Sequence, residues 1–227
     1  LLTIGSSEAV DIVFRTLLQP NDEAIVFTPG YVSYEPCIRM SYGIPVCVQL
    51  KEEDGFRIVK ERLIEAITPR TKAILMNFPN NPTGAVMTYE DYAQIIPVIR
   101  DHDLYVVNDE IYAELTYDGD HVSIASFPQI KEKVILINGF SKGFSMTGWR
   151  IGYTASNAKI AKAMSNIQSH ATSNPNSIAQ VAATAALNGP KDEIDVMKKA
   201  FNERRDHLVD LINNIDGVSC VKPDGAF

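Results

Sequence analysis

"KAILMNFPNNPTG", residues 72–84, decides the architecture, because a mostly apolar run of strand length passes directly into a cluster of asparagine, proline and glycine. A short apolar run ended by turn residues reads as a strand buried on both faces. Asn, Pro and Gly are also ordinary loop punctuation, so this loop gains meaning only from what stands beside it.

Working outward, the same pattern recurs at "AIVF" 24–27, "PVCVQL" 45–50, "LYVVND" 104–109, "VILIN" 134–138 and "IGYTAS" 151–156. The segments between these runs are longer and mostly have helical periodicity. Such alternation predicts an α/β chain with a mixed, mostly parallel sheet flanked by helices. From Asn157 to about Asn214 the strands cease, and three helical stretches follow, broken at "SNPNS" and "NGPKDE". "TYED" at 88–91 resembles a capping box with Asp in place of Glu, and it sets a helix start just after the "PNNPTG" loop. No internal repeat or low-complexity tract interrupts the pattern.

Composition narrows the functions. A chain of 227 residues with 45% hydrophobic content buries a substantial core. A net charge of −7 speaks against general nucleic-acid binding, which needs a concentrated basic face. Cys37, Cys47 and Cys220 are widely spaced and read as free thiols, and His102, His121, His170 and His207 share no metal-ligand spacing, so no metal is expected. No apolar run approaches the ~18 residues that span a bilayer, and no signal peptide opens the chain. The expectation is a soluble, cytoplasmic protein. Charge runs such as "KEKV" and "NERRDH" read as solvated helix faces.

In α/β sheets ligands sit beyond the carboxyl ends of the strands, so the informative residues should follow the apolar runs. "FPNNPTG" follows 72–77, Asp109, Glu110 and Tyr112 end or follow 104–109, and "GFSKG" follows 134–138. At the start of the chain "TIGSSEAV" (3–10) puts a glycine and two serines at the head of an amphipathic stretch. Ser6 or Ser7 there is either a helix N-cap or part of an anion site. Ser141 and Arg150 add a hydroxyl and a guanidinium suited to a phosphate ester. There is no Walker loop and no G-x-G-x-x-G, so nucleotide binding loses its main support. A lysine amine, a strand-end carboxylate and a phosphate pocket at one sheet edge suit a Schiff base to pyridoxal phosphate, with the acid keeping the ring nitrogen protonated.

The ordered set "GSSEA", "PGYVSYEP", "PNNPTGAV", "NDEIYAELTYDG" and "GFSKGFSMTGWRIGY" strongly resembles the class I/II aminotransferases of pyridoxal-phosphate fold type I, especially the bacterial aspartate- and aromatic-type branch. The resemblance covers essentially the whole chain. It implies that Lys142 forms the Schiff base with the cofactor and then shuttles the substrate proton. It implies that Asp109 pairs with the pyridinium nitrogen, Tyr112 and Asn81 bond the phenolate oxygen, and Tyr31 stacks on the ring. Arg150, Ser6, Ser7 and Ser141 would hold the phosphate. The implied substrates are an amino acid and a 2-oxo acid, and the implied assembly is a homodimer, with "SNPNSIAQ" (173–180) near its interface.

Residues 1–227 are therefore expected to be the cofactor-binding large domain, a fragment without the family's N-terminal segment and C-terminal small domain. "LLTIGSSEAV" begins as though an element had just ended, and "VKPDGAF" stops where a strand would continue. Gly139 stands where many relatives carry serine, which removes one phosphate hydroxyl. Two alternatives share the same motifs: another fold-type-I enzyme such as a C–S lyase or an aminocyclopropane-carboxylate-synthase-like eliminase, and a non-enzymatic sensor domain of a transcription regulator.

Overall fold

A computed structural model describes residues Leu1–Ala226, and in it every apolar run quoted above forms a strand. In chain order the elements are β1 (Leu2–Thr3), α1 (Gly5–Leu17), β2 (Glu23–Thr28), α2 (Tyr34–Met40), β3 (Ile44–Gln49), α3 (Lys60–Ala66), β4 (Thr71–Asn77), α4 (Tyr89–Asp101), β5 (Tyr105–Asp109), β6 (Val134–Gly139) and β7 (Gly152–Ala155). Three helices follow, α5 (Ala158–Ala171), α6 (Ser177–Asn188) and α7 (Asp192–Asn213), at the places the pattern predicts. β1 is the addition: an edge strand of two residues leaves no periodicity to read.

The strands form one sheet in the order β1-β7-β6-β5-β4-β2-β3. Pairing is parallel from β3 through β6, whereas β7 runs antiparallel to both β6 and β1. The continuous apolar runs have a direct cause. Alternate residues of the interior strands β2, β4, β5 and β6 enter opposite cores, so both sets are mostly apolar. Ile25, Phe27, Ile74 and Met76 pack with Leu63 of α3 and Tyr92, Ile95 and Ile99 of α4. Their neighbours Ala24, Val26, Ala73 and Leu75 pack on the other face with α1, α2 and Ile160 and Met164 of α5.

Helix ends follow local chemistry, with one correction. α4 opens on the expected capping box, in which Asp91 N–H donates to Thr88 Oγ1 and Thr88 N–H to Asp91 Oδ2. α1 does not use Ser6 or Ser7 as its cap. The helix begins at Gly5, so both serines already lie inside the first turn, and Glu8 takes the capping task by accepting from Ile4 N–H at 2.6 Å. Glu8 also receives Gln168 Nε2 at 3.1 Å and the Thr172 hydroxyl, which ties α1 to α5. The serine hydroxyls are thereby released for another use.

A second correction concerns "NERRDH". Arg205 is buried, with its guanidinium over the Tyr117 ring and donating to the Pro223 carbonyl at 2.9 Å. Helical periodicity carries Arg205 to the inner side of α7, so the charge run is not wholly solvated. His121 likewise faces inward, with Nε2 3.1 Å from the buried carboxylate of Glu110.

Candidate active site

β4, β5 and β6 are neighbours, so their carboxyl ends deliver three loops to one place. Asn77 and Asp109 are register partners at the ends of β4 and β5. Asn77 uses that adjacency twice: its Nδ2 donates to the Asp109 carbonyl at 2.9 Å, and its Oδ1 accepts from Asn81 N–H at 3.1 Å. One buried amide therefore fixes both the strand end and the "PNNPTG" loop. Asn81 Nδ2 in turn donates to Tyr112 Oη at 3.1 Å.

Asp109 is buried, and each of its carboxylate oxygens accepts a hydrogen bond. Ile111 N–H reaches Oδ1 and the Tyr34 hydroxyl reaches Oδ2, both at 3.0 Å. Burial pushes its pKa up to about 6 against the pull of those two donors, and Glu110 nearby pushes the same way. Burial also raises Tyr112 to about 12, only partly offset by Asn81, so the phenol is a donor at neutral pH.

The stretch between β6 and β7 carries Ser141, Lys142 and Arg150. Its base is narrow because Gly139 and Gly152 are register partners, and a Cβ on Gly139 would lie 3.1 Å from Gly152 Cα. A side chain at 139 would therefore be tight against β7. The Lys142 ammonium lies 5.7 Å from the centre of the Tyr112 ring. Arg150 takes a left-handed backbone (φ 49°) and donates to the Thr147 carbonyl at 3.0 Å, which turns its guanidinium toward Gly5. A Cβ on Gly5 would sit 2.4 Å from Arg150 Nη2, and one on Gly152 2.8 Å from Ser6 N. The approach of α1 to Arg150 therefore depends on both glycines.

All nine residues singled out from the sequence line one cavity of about 430 Å³. Asp109, Asn81 and Tyr112 contribute from the strand ends, Tyr31 from the loop before α2, and Ser6 and Ser7 from α1. Ser141, Lys142 and Arg150 complete it from the loop between β6 and β7. Two residues that matter to the geometry, Asn77 and Tyr34, went unremarked in the sequence. Their signal was available in part: a buried tyrosine needs an acceptor for its hydroxyl.

The profile of the family described as aminotransferase class I and II matches residues 1–227. The chain belongs to the class I and II aminotransferases. Among members of that family, it is similar to an aspartate aminotransferase of Geobacillus stearothermophilus, with 46% identity over all of this chain and 58% of the relative. A solved aspartate aminotransferase from Rhizobium meliloti superimposes with a TM-score of 0.98 at 39% identity, covering 100% of this chain and 57% of that one. An aromatic aminotransferase from Pyrococcus horikoshii OT3 gives 0.97 at 36% identity, covering 100% and 61%. This aminotransferase chain thus spans less than two thirds of the length of these relatives. Among the described residues, no helix is long and apolar enough to cross a membrane.

Within an aminotransferase site of this shape, Gly5→Ala is an informative change. Gly5 has φ +72°, and the added methyl would collide with the Arg150 guanidinium. The left-handed conformation alone costs about 1–2 kcal/mol for a non-glycine residue. The variant is expected to unfold at lower urea concentration and to bind inorganic phosphate or a phosphate ester about tenfold more weakly, as read by isothermal titration calorimetry.

Proposed function

We propose that residues 1–227 form the cofactor-binding part of a pyridoxal-phosphate-dependent aminotransferase that moves amino groups between amino acids and 2-oxo acids. The observation that carries this reading is the single cavity onto which Lys142, Asp109 and Arg150 all open. Its donor set fits the cofactor. An amine (Lys142), a buried carboxyl (Asp109) and a guanidinium (Arg150) line the cavity together with the hydroxyls of Ser6 and Ser7 at a helix N-terminus, where anions are favoured. The glycines at 5 and 152 keep that last end open.

Bound pyridoxal phosphate supplies an aldehyde that condenses with amines and a ring that draws electrons from the substrate Cα. The protein's own residues do the rest. Lys142 Nζ would hold the cofactor and carry the proton taken from the substrate Cα. Asp109 would keep a proton on the ring nitrogen. Tyr112 and Asn81, bonded to one another, would hold the phenolic oxygen, and Tyr31 would pack on the ring. Arg150, Ser6, Ser7 and Ser141 hold the phosphate through charge-assisted hydrogen bonds.

The similar proteins are named aspartate and aromatic aminotransferases. Both kinds of substrate share the α-amino and α-carboxyl groups, so an α-amino acid with a 2-oxo acid acceptor is the class assigned here. The cytoplasm is the assigned compartment. A second copy of the chain is the assigned partner for the face of α6, where Ile178 and Val181 are exposed.

Borohydride reduction in the presence of pyridoxal phosphate, followed by peptide mapping, is expected to fix the cofactor on Lys142. Label confined to other lysines rejects the assignment. An amino-acceptor assay on the intact protein separates transamination from elimination chemistry at the same site.

A further inference from the structure

Tyr34 is the first residue of α2, and its ring is buried against α1 and β2. Its hydroxyl donates to Asp109 Oδ2 at 3.0 Å, across 75 residues of chain. Burial, reinforced by the Asp109 charge, holds the phenol well above its ordinary pKa, so it stays protonated and can only donate to that carboxylate. Ile111 N–H occupies the other oxygen and Asn77 grips the carbonyl of the same residue. The ring of Tyr34 also meets Tyr31 edge-on, with centroids 5.5 Å apart. One side chain therefore contacts both the acid on the cavity floor and the aromatic residue at its rim.

We propose that Tyr34 is a positioning residue for the reaction, holding Asp109 ionised and aimed at the ring nitrogen of the cofactor through the Tyr34 Oη–Asp109 Oδ2 hydrogen bond. The inference rests on the assignment of Asp109 made under Proposed function. A donor on a carboxylate favours its charged form, and an ionised, fixed carboxylate is what a pyridinium nitrogen needs as a partner. The other ionisable groups around Asp109 are Glu110 on the same strand end, Tyr31, Tyr112, Lys142 and Arg150 around the cavity, and Glu8, Asp11 and Cys37 on the adjoining side of α1 and α2.

The test compares pyridoxal phosphate with its analogue in which C–H replaces the ring nitrogen. The parent chain is expected to bind the natural compound more tightly than the analogue. Tyr34→Phe, which keeps the ring and removes only the hydroxyl, is expected to shrink that ratio about tenfold while leaving affinity for the analogue unchanged. Without cofactor, the ¹³C carboxyl resonance of Asp109 in the same variant is expected to titrate about one pH unit higher than in the parent. Tyr34→His returns a ring donor and is expected to bring the ratio to within about threefold of the parent. An unchanged ratio, an unchanged Asp109 midpoint, equal loss of affinity for both compounds, or no recovery in Tyr34→His overturns the role of Tyr34 and leaves the cofactor assignment standing. A parent that binds both compounds equally rejects Asp109 as the ring-nitrogen partner, and the inference falls with it.

Discussion

Lys142→Ala is expected to lower amino-group transfer in the intact protein by at least about 10⁴-fold, because under the proposed function one amine would both attach the cofactor and move the Cα proton. Loss of attachment alone would leave a noncovalent complex that still binds through Arg150 and Asp109. Loss of the proposed proton carrier would remove a step for which, among the described residues of the cavity, Asp109 and Tyr112 are poor substitutes: Asp109 is committed to Ile111 and Tyr34, and Tyr112 is a phenol raised to about 12. Single-turnover absorbance of the loaded protein mixed with an amino acid measures the effect. Methylamine added to the variant is expected to restore part of the rate, since a small amine can enter the space and accept the proton. A variant within tenfold of the parent would mean that the proton moves elsewhere.

Asp109→Asn is expected to act in opposite directions on stability and on chemistry. In the bare protein the carboxyl titrates near 6 against an ordinary value of 3.8, raised by burial. An acid whose folded pKa lies above its unfolded one stabilises the fold fully below the unfolded value, and that contribution is lost as pH rises through the folded value. The loss is therefore complete above about pH 7, and its size is on the order of 2–3 kcal/mol for a shift from 3.8 to about 6. Urea unfolding without cofactor is expected to show the Asn variant more stable than the parent at pH 8, with the difference gone at pH 4. Under the proposed function the same change would remove the charge that keeps the ring nitrogen protonated. Amino-group transfer in the intact protein is expected to fall by about 10²–10³-fold, the usual scale for loss of one preorganised electrostatic partner. A variant that is both less stable at pH 8 and fully active would contradict the account of Asp109 on both counts.

The central sheet was legible because burial on both faces leaves continuous apolar runs, and β2, β4, β5 and β6 are such strands. The places where site residues stand were legible for a related reason: they punctuate the carboxyl ends of those runs. What escaped depends on contacts that no local pattern encodes. Asn77 matters because the register puts it opposite Asp109, and Tyr34 matters because the first residue of α2 reaches the carboxylate at the end of β5. Ser6 and Ser7 were ambiguous between cap and anion site. The cap reading falls because Glu8, anchored by Gln168 from far along the chain, takes that task. Arg205 shows the same limit, since a charged run cannot reveal which of its members turns inward.

The pairing of β1 with β7 joins residues far apart in sequence, Thr3 with Gly152, through an edge strand of only two residues. The cavity is consequently made of two mechanically different halves. Lys142 and Asp109 hang from adjacent interior strands, whereas Ser6, Ser7 and Arg150 meet only when this distant seam is shut. Closing so long a loop costs entropy, which the burial of α1 in the core and the bonds of Leu1, Leu2 and Glu8 to Thr154, Gln168 and Thr172 repay. Under the proposed function a phosphate bridging Ser6 and Arg150 would bind only the shut form, and by mass action it would act as a clasp on this joint.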